Sequence, residues 1–321
     1  MPVIQETVGR LGQIPNLQVT RDTPLARYTR FGIGGPADIY AETASVDTFV
    51  AALNAARASG LAWVVIGGGT NLVVSDAGFR GIVLRFTAEA VRADGRSVIA
   101  DAGAELQKVV DCSVAAGLRG LETLAGIPGS LGAAVYGNAG AYGHSISEVV
   151  STVRFFDGDT VRVASNAACE FHYRESVFKR HKDWIVFSAD LSLAPGDAAE
   201  LERTAADIVA TRNRKFPPTM KCAGSVFKNL ILAELPAPVA AQVPAGVVRE
   251  GKVPAAYFLE QAGAKGQVCG DIHVADYHAN LIYNAGAGTA RQLRELIAAL
   301  KQRVRARFGF DLEEEVQYVG F

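Results

Sequence analysis

Two stretches of the chain could hold an anion. Val64-Val65-Ile66 runs directly into Gly67-Gly68-Gly69-Thr70-Asn71. Consecutive glycines let backbone N–H groups approach an anion without Cβ clashes, and Thr70 and Asn71 add side-chain donors. Three glycines after a buried strand cost conformational entropy, which favours ligand contact over a bare turn. Residues 212–228 carry Arg212, Arg214, Lys215, Lys221 and Lys228 but no Asp or Glu, in a chain of net charge −1. That asymmetry suits a ligand bearing several negative charges; the alternative is a solvated linker, which Pro217-Pro218 would suit.

Two other glycine runs compete for the same role. Gly32-Ile33-Gly34-Gly35-Pro36-Ala37 matches G-x-G-x-x-A literally. Pro36 and a strand-like 38–43 follow it where a helix is required, and no acidic residue closes a second strand about 20 positions on, so a Rossmann site is not expected. Residues 126–143 hold six glycines and few charges. Composition leaves two readings open there: backbone laid against a ligand, or an irregular loop packed on itself.

Composition excludes several classes. With 32 basic and 33 acidic residues, a broad basic surface for nucleic acid is not expected. Cys112, Cys169, Cys222 and Cys269 are dispersed with no CxxC, and the five His form no HExxH, so neither a metal site nor a disulfide framework is expected. The N-terminus has no apolar run behind a basic start, and 230–248 is broken by Glu234, Pro236, Pro238 and Pro244. The expectation is a cytoplasmic protein with reduced thiols and no membrane insertion.

The elements that must position these loops can be read from periodicity. Ser45 caps a helix through Val46, Phe49, Val50 and Leu53 that Gly60 stops. Strands follow at 62–66 and 82–86. Leu106, Val109, Val110 and Val114 mark a second helix closed by Gly117. Strands are expected at 149–156, 160–164 and 184–193, with Gly158-Asp159 as a hairpin turn. Leu201, Ala205, Ile208 and Val209 mark a third helix. Thr289 and Gln292 form a capping box before an apolar face of Leu293, Leu296, Ile297, Leu300 and Val304, and Gly309 ends that helix. A last strand is expected near 315–319. The class is α+β, with boundaries near 87–90 and Pro217-Pro218; helices and strands alternate too irregularly for one Rossmann sheet or a TIM barrel.

Taken in order, Gly67-Gly68-Gly69-Thr70-Asn71, Gly120-Leu121-Glu122, the run 125–132 and the run 138–143 resemble the UDP-N-acetylenolpyruvoylglucosamine reductase (MurB) family. The resemblance extends from Tyr28-Thr29-Arg30-Phe31 to Glu315-Val316. It implies a two-lobed FAD-binding fold of the vanillyl-alcohol-oxidase/p-cresol-methylhydroxylase type with a C-terminal α+β substrate-binding domain. The lobes would be 1–87 and 88–213 and the substrate domain 214–321, the last strand carrying Glu315 back to the active site. FAD would be held by Ile66, Gly67, Gly68, Gly69, Thr70 and Asn71 at the pyrophosphate. Gly120, Glu122, Ile127, Pro128, Gly129, Gly132, Asn138, Gly140, Ala141 and Tyr142 would lie along the rest of it. No His precedes His144, so FAD is expected to be non-covalent. NADPH, the co-substrate, has no fingerprint here, which fits a transient visitor to the cleft.

Three later segments resemble the family's catalytic positions: Tyr173-Arg174-Glu175-Ser176, Gly224-Ser225-Val226-Phe227-Lys228-Asn229, and Leu312 with Glu315-Val316. Taken singly, Arg174 reads as a surface ion pair with Glu175, Ser225 as a turn hydroxyl and Glu315 as a solvated charge; the ordered set reverses this. The resemblance implies that Arg174 fixes the carboxylate of an enolpyruvyl ether, Ser225 gives the proton and Glu315 orients the site. Lys215, Asn229, Tyr173 and His278 would contact a UDP-N-acetylglucosamine enolpyruvate. Only about eighteen residues separate Leu193 from Arg212, and no Tyr lies between Tyr173 and Tyr257, as in the shorter subgroup without the Tyr-bearing insertion. A monomer or weak oligomer is expected. Two other functions stay open: a small-alcohol oxidase or dehydrogenase on the same flavin fold, and a non-catalytic nucleotide-sugar binder.

Overall fold

A computed structural model describes residues 2–321. They form two compact units. The first contains the chain through Thr23, Ala37–Gly69 and Arg80–Arg214; the second contains Pro24–Pro36, Thr70–Phe79 and Lys215–Phe321.

In the first unit, strands Gln18–Pro24, Pro36–Thr43, Phe79–Phe86 and Trp63–Ile66 lie side by side in that order. The last two are parallel, from Trp63 opposite Ile82 to Ile66 opposite Arg85. Helix Val46–Ala58 begins where expected: Ser45 Oγ accepts from Thr48 N, satisfying one orphan donor of the first turn. It buries Phe49, Ala52, Leu53 and Ala56. A second, antiparallel sheet orders strands Val161–Ser165, Val150–Phe156, Ile185–Ser192, Ser97–Asp101 and Val91–Asp94. The Gly158-Asp159 turn is observed, with Gly158 at φ +100° and Asp157 Oδ1 accepting from the N–H groups of Asp159 (2.9 Å) and Thr160 (2.8 Å). Phe187 of this sheet meets Phe49 and Phe86 edge-on, with centroids 5.7 and 5.0 Å away, so the two sheets share an aromatic core. Helices Leu106–Ala115 and Leu131–Tyr136 contribute to the other core of this unit. Helix Ala198–Lys215 runs through Arg212 and Arg214, so the first part of the basic run stands on a helix and not in a linker.

In the second unit, strands Lys221–Ser225, Leu281–Asn284, Ile272–Val274 and Val268–Cys269 form an antiparallel sheet. Helix Ala290–Phe308 carries the expected reciprocal Thr289/Gln292 box, ends on Gly309 at φ +76°, and buries the predicted apolar face. The final strand is shorter than expected. It spans Gln317–Val319 and pairs in parallel with Leu72–Val74, so Glu315 lies two residues outside it. The 32–37 glycines are packing devices. A Cβ on Gly34 would meet Val74 Cβ at 2.8 Å, and one on Gly35 would meet Asp76 O at 2.2 Å, while Gly35 N donates to Ser75 O. A side chain there would collide with backbone, which accounts for the glycines without a ligand. No helix among the described residues is long and apolar enough to cross a membrane.

Candidate functional site

In the first unit, buried Ile66 ends its strand and the glycine loop then lies on the 126–132 segment. A Cβ on Gly67 would sit 3.1 Å from Ser130 Oγ, and one on Gly68 would sit 3.5 Å from Gly129 Cα. Among the described residues, no protein group accepts a hydrogen bond from the N–H groups of Gly67, Gly68 or Gly69. Three consecutive unspent donors beside a second glycine segment suit an anion such as a dinucleotide's pyrophosphate. Gly69 takes φ +65°, a conformation costly for a residue with a Cβ.

The opposing segment is held rigidly by its own main chain. Leu106 N donates to Gly129 O (2.9 Å), Leu131 N to Ala104 O (2.8 Å) and Gly132 N to Ala102 O (2.9 Å). Gln107 Oε1 accepts from Gly126 N at 2.7 Å, a support not visible in the sequence. Several expected cofactor residues also have structural work. A Cβ on Gly132 would meet Ala102 Cβ at 2.8 Å, and one on Gly120 would meet Val149 Cγ1 at 2.9 Å. Glu122 Oε2 accepts from Gly120 N at 2.6 Å. Ile127 packs partly buried against the core and Pro128 follows it exposed. Asn138 is buried at φ +42°; its Nδ2 donates to His172 O (2.9 Å) and its Oδ1 accepts from Ser147 N. Gly140-Ala141 pairs with His144-Ser145 across a turn whose central residues, Tyr142 and Gly143, both take positive φ. That matches the twist two-residue hairpins prefer, and it leaves the Tyr142 ring exposed.

Arg174 sits beside this hairpin. Its Nη2 donates to Gly140 O at 3.1 Å, and its guanidinium lies 5.3 Å from the Tyr173 ring centroid. Glu175 Oε1 pairs with Lys179 Nζ at 2.7 Å.

The second unit brings Ser225 and Glu315 onto neighbouring main chain. Ser225 ends its strand opposite Leu281, after a register shift and Gly224 at φ +77°. The next residue, Val226, accepts from Glu315 N at 2.7 Å, and Lys228 N donates to Glu313 O at 2.9 Å. Lys228 Nζ also pairs with Glu313 Oε1 at 2.5 Å. Asn71 Nδ2 donates to Glu315 O at 2.9 Å, so the last residue of the glycine loop fixes Glu315. Thr70 precedes it half-buried, and Asn229 Oδ1 accepts from Ala255 N at 3.3 Å.

Asn280 is the residue that sequence reasoning missed. It is 2% exposed, its Oδ1 accepts from Phe227 N and its Nδ2 donates to Phe227 O, both at 2.9 Å. A main-chain bond from Val226 N to Asn280 O completes the clamp. The signal was a polar residue standing against the apolar Leu281-Ile282 start of a strand.

Lys215 and His278 are drawn together around Phe216. Lys215 Nζ is 5.0 Å from the Phe216 ring centroid, and the His278 ring is 6.2 Å from it. Tyr277 Oη donates to Lys215 O at 2.9 Å. His278 Nδ1 accepts from Asn280 N at 3.2 Å. Burial, and then the Lys215 charge, push His278 down to about 4, so the ring is neutral at pH 7. Because the unfolded ring titrates near its ordinary value, it binds more protons than the folded one between about pH 4 and 6.5, and stability falls on acidification through that window. The expected loss is about 1–2 kcal/mol after allowing for partial solvent exposure. Chemical denaturation at pH 7.5 and 4.5 should show a smaller difference for His278→Gln than for the parent; an equal difference would remove His278 as the source.

Comparison with known proteins spans most of the chain. The chain matches the model of an FAD binding domain over residues 37–164. It matches that of the UDP-N-acetylenolpyruvoylglucosamine reductase C-terminal domain over 216–319. It is 67% identical to the UDP-N-acetylenolpyruvoylglucosamine reductase of Solibacter usitatus, across 97% of this chain and all of that one. It is 36% identical to the enzyme of that name from Rubrobacter xylanophilus, over 93% and 94% of the two chains. A solved structure of UDP-N-acetylenolpyruvylglucosamine reductase (MurB) from Thermus caldophilus superposes with a TM-score of 0.73 at 30% identity, covering 94% of this chain and 99% of that one.

Proposed function

Because the chain belongs to the UDP-N-acetylenolpyruvoylglucosamine reductase family, we propose a role for each of its site residues in that family's reaction. The protein is an FAD-dependent oxidoreductase of peptidoglycan precursor synthesis that reduces UDP-N-acetylenolpyruvoylglucosamine to UDP-N-acetylmuramate with NADPH. When bound, FAD would supply the hydride relay between NADPH and the terminal methylene carbon of the enolpyruvyl ether.

That delivery leaves negative charge on the adjacent carbon and its carboxylate. We assign Arg174 to the carboxylate, where a fixed guanidinium gains most as the charge grows. Ser225 gives a proton to the carbon bearing the ether oxygen. Glu315, whose main chain is tied to Val226 and Asn71, orients the donor. Lys215 and Asn229 contact the nucleotide sugar, Tyr173 lines the pocket, and neutral His278 offers hydrogen bonding without charge. Gly67, Gly68 and Gly69 would hold the FAD pyrophosphate with their N–H groups, with Ile66, Thr70 and Asn71 beside them. Gly120, Glu122, Ile127, Pro128, Gly129, Gly132, Asn138, Gly140, Ala141 and Tyr142 frame the rest of a non-covalent FAD. Lobes 1–87 and 88–213 would carry the cofactor and 214–321 the substrate, in a cytoplasmic monomer or weak oligomer without nucleic-acid or membrane partners.

The observation that carries this reading is 67% identity over the full length of a named relative. The purified protein should be yellow, bleach with NADPH, and recover its colour anaerobically only when the enolpyruvyl sugar is added. Oxygen uptake with small alcohols and no NADPH use would replace the reading with an oxidase. A colourless protein that still binds UDP-sugars would replace it with a binder.

A further inference from the structure

The turn that presents Arg174 is held by a partly buried ammonium. Arg174 takes φ +59°, a left-handed conformation that a residue with a Cβ avoids unless its surroundings impose it. The turn closes tightly, with His172 N donating to Glu175 O at 3.0 Å and Glu175 N to His172 O at 3.2 Å. Lys179, one turn on, reaches back. Its Nζ donates to the carbonyl of Arg174 at 2.8 Å and to Glu175 Oε1 at 2.7 Å, and its side chain is 15% exposed.

A largely desolvated lysine is costly unless its charge is answered locally. Here it is answered by the carbonyl of the residue in the left-handed conformation and by that residue's neighbour. The base of the turn is fixed separately. Asn138 Nδ2 holds His172 O, and Ser176 Oγ, buried, donates to Tyr136 O at 2.7 Å. The Arg174–Glu175 peptide is thus held from two sides, by His172 O on the Glu175 N–H and by Lys179 on the Arg174 carbonyl. The guanidinium then points at Gly140 O.

We propose that Lys179 is a positioning residue: its ammonium locks Arg174 in the left-handed conformation that aims the guanidinium at the substrate's carboxylate. This rests on the reading of Arg174 as the carboxylate anchor. Without the ammonium the Arg174–Glu175 peptide loses one of its two holds, the left-handed conformation is less favoured, and the guanidinium is held less firmly at Gly140. A misaligned anchor costs roughly 10²-fold even when its charge survives.

The test uses the FAD-loaded protein and measures its two half-reactions separately. Lys179→Met should slow anaerobic reoxidation by the enolpyruvyl sugar roughly 10²-fold. FAD content and the rate of bleaching by NADPH should stay close to the parent. Lys179→Arg, which can still donate to the carbonyl and the carboxylate, should recover most of that loss. In an Arg174→Ala background, Lys179→Met should add nothing. Equal slowing of both half-reactions, no rescue by Arg, or multiplication of the two effects would overturn the proposal. If Lys179→Met does not fold, Lys179→Gln is measured in its place against the same outcomes. Arg174→Ala alone separates the two ideas. If it leaves reoxidation unchanged, the reading of Arg174 fails; if it slows reoxidation while Lys179→Met does not, only the clasp fails.

Discussion

Ser225→Ala is expected to slow substrate-driven reoxidation by roughly 10²–10⁴-fold, which is what a positioned general acid contributes, or about 3–5 kcal/mol of activation free energy. Reduction of the flavin by NADPH needs no such proton and should proceed as in the parent. The structure argues that the loss would be chemical and not a folding defect. Ser225 pairs with Leu281 through main chain that alanine reproduces, and no described protein group holds its hydroxyl. Nor does its side chain fill the core. Anaerobic stopped-flow measurement of the two steps decides the matter: if both survive at parental rates, the proton comes from elsewhere.

Asn280→Leu should be the most damaging single change to the frame of the second unit. Leucine is close in size, so the loss is one of hydrogen bonds and not of volume. It orphans the N–H and C=O of Phe227, a residue 1% exposed. A buried unsatisfied polar group costs about 1–3 kcal/mol, so the pair amounts to about 2–6 kcal/mol, enough to threaten the folded state. Asn280→Asp keeps the acceptor for Phe227 N but sets a buried carboxylate oxygen against Phe227 O, so at pH 7 it should also fall well below the parent. Urea denaturation ranks the three. The substrate half-reaction should fall with stability, because the clamped main chain runs from Ser225 to Lys228. A Leu variant as stable as the parent would mean that water satisfies Phe227 instead.

Much of the scaffold was legible locally. Ser45, the Thr289/Gln292 box, the Gly158 turn and Gly309 all appear where expected, because each acts on donors, acceptors or dihedrals within four residues of itself. The rejection of 32–37 as a dinucleotide loop was also local, since a strand-like 38–43 follows it where a helix is required. The structure adds the positive reason for those glycines, close backbone approach to Ser75–Gly78. The proposed catalytic set rests on an ordered pattern, since Arg174, Ser225 and Glu315 each have a bland reading when taken alone.

By itself, then, the sequence determined the α+β class, the caps and turns, the glycine loop at 67–69 and the family. These follow from local dihedral preferences, from apolar periodicity and from motif order. The tertiary structure decided which remote segments answer each polar group. Asn71 holds Glu315 across 244 positions and Asn280 holds Phe227 across 53. The final strand starts after Glu315. Periodicity reports which face of an element is buried. The partner of a buried donor or acceptor depends on which distant main chain arrives beside it, and only the folded chain fixes that.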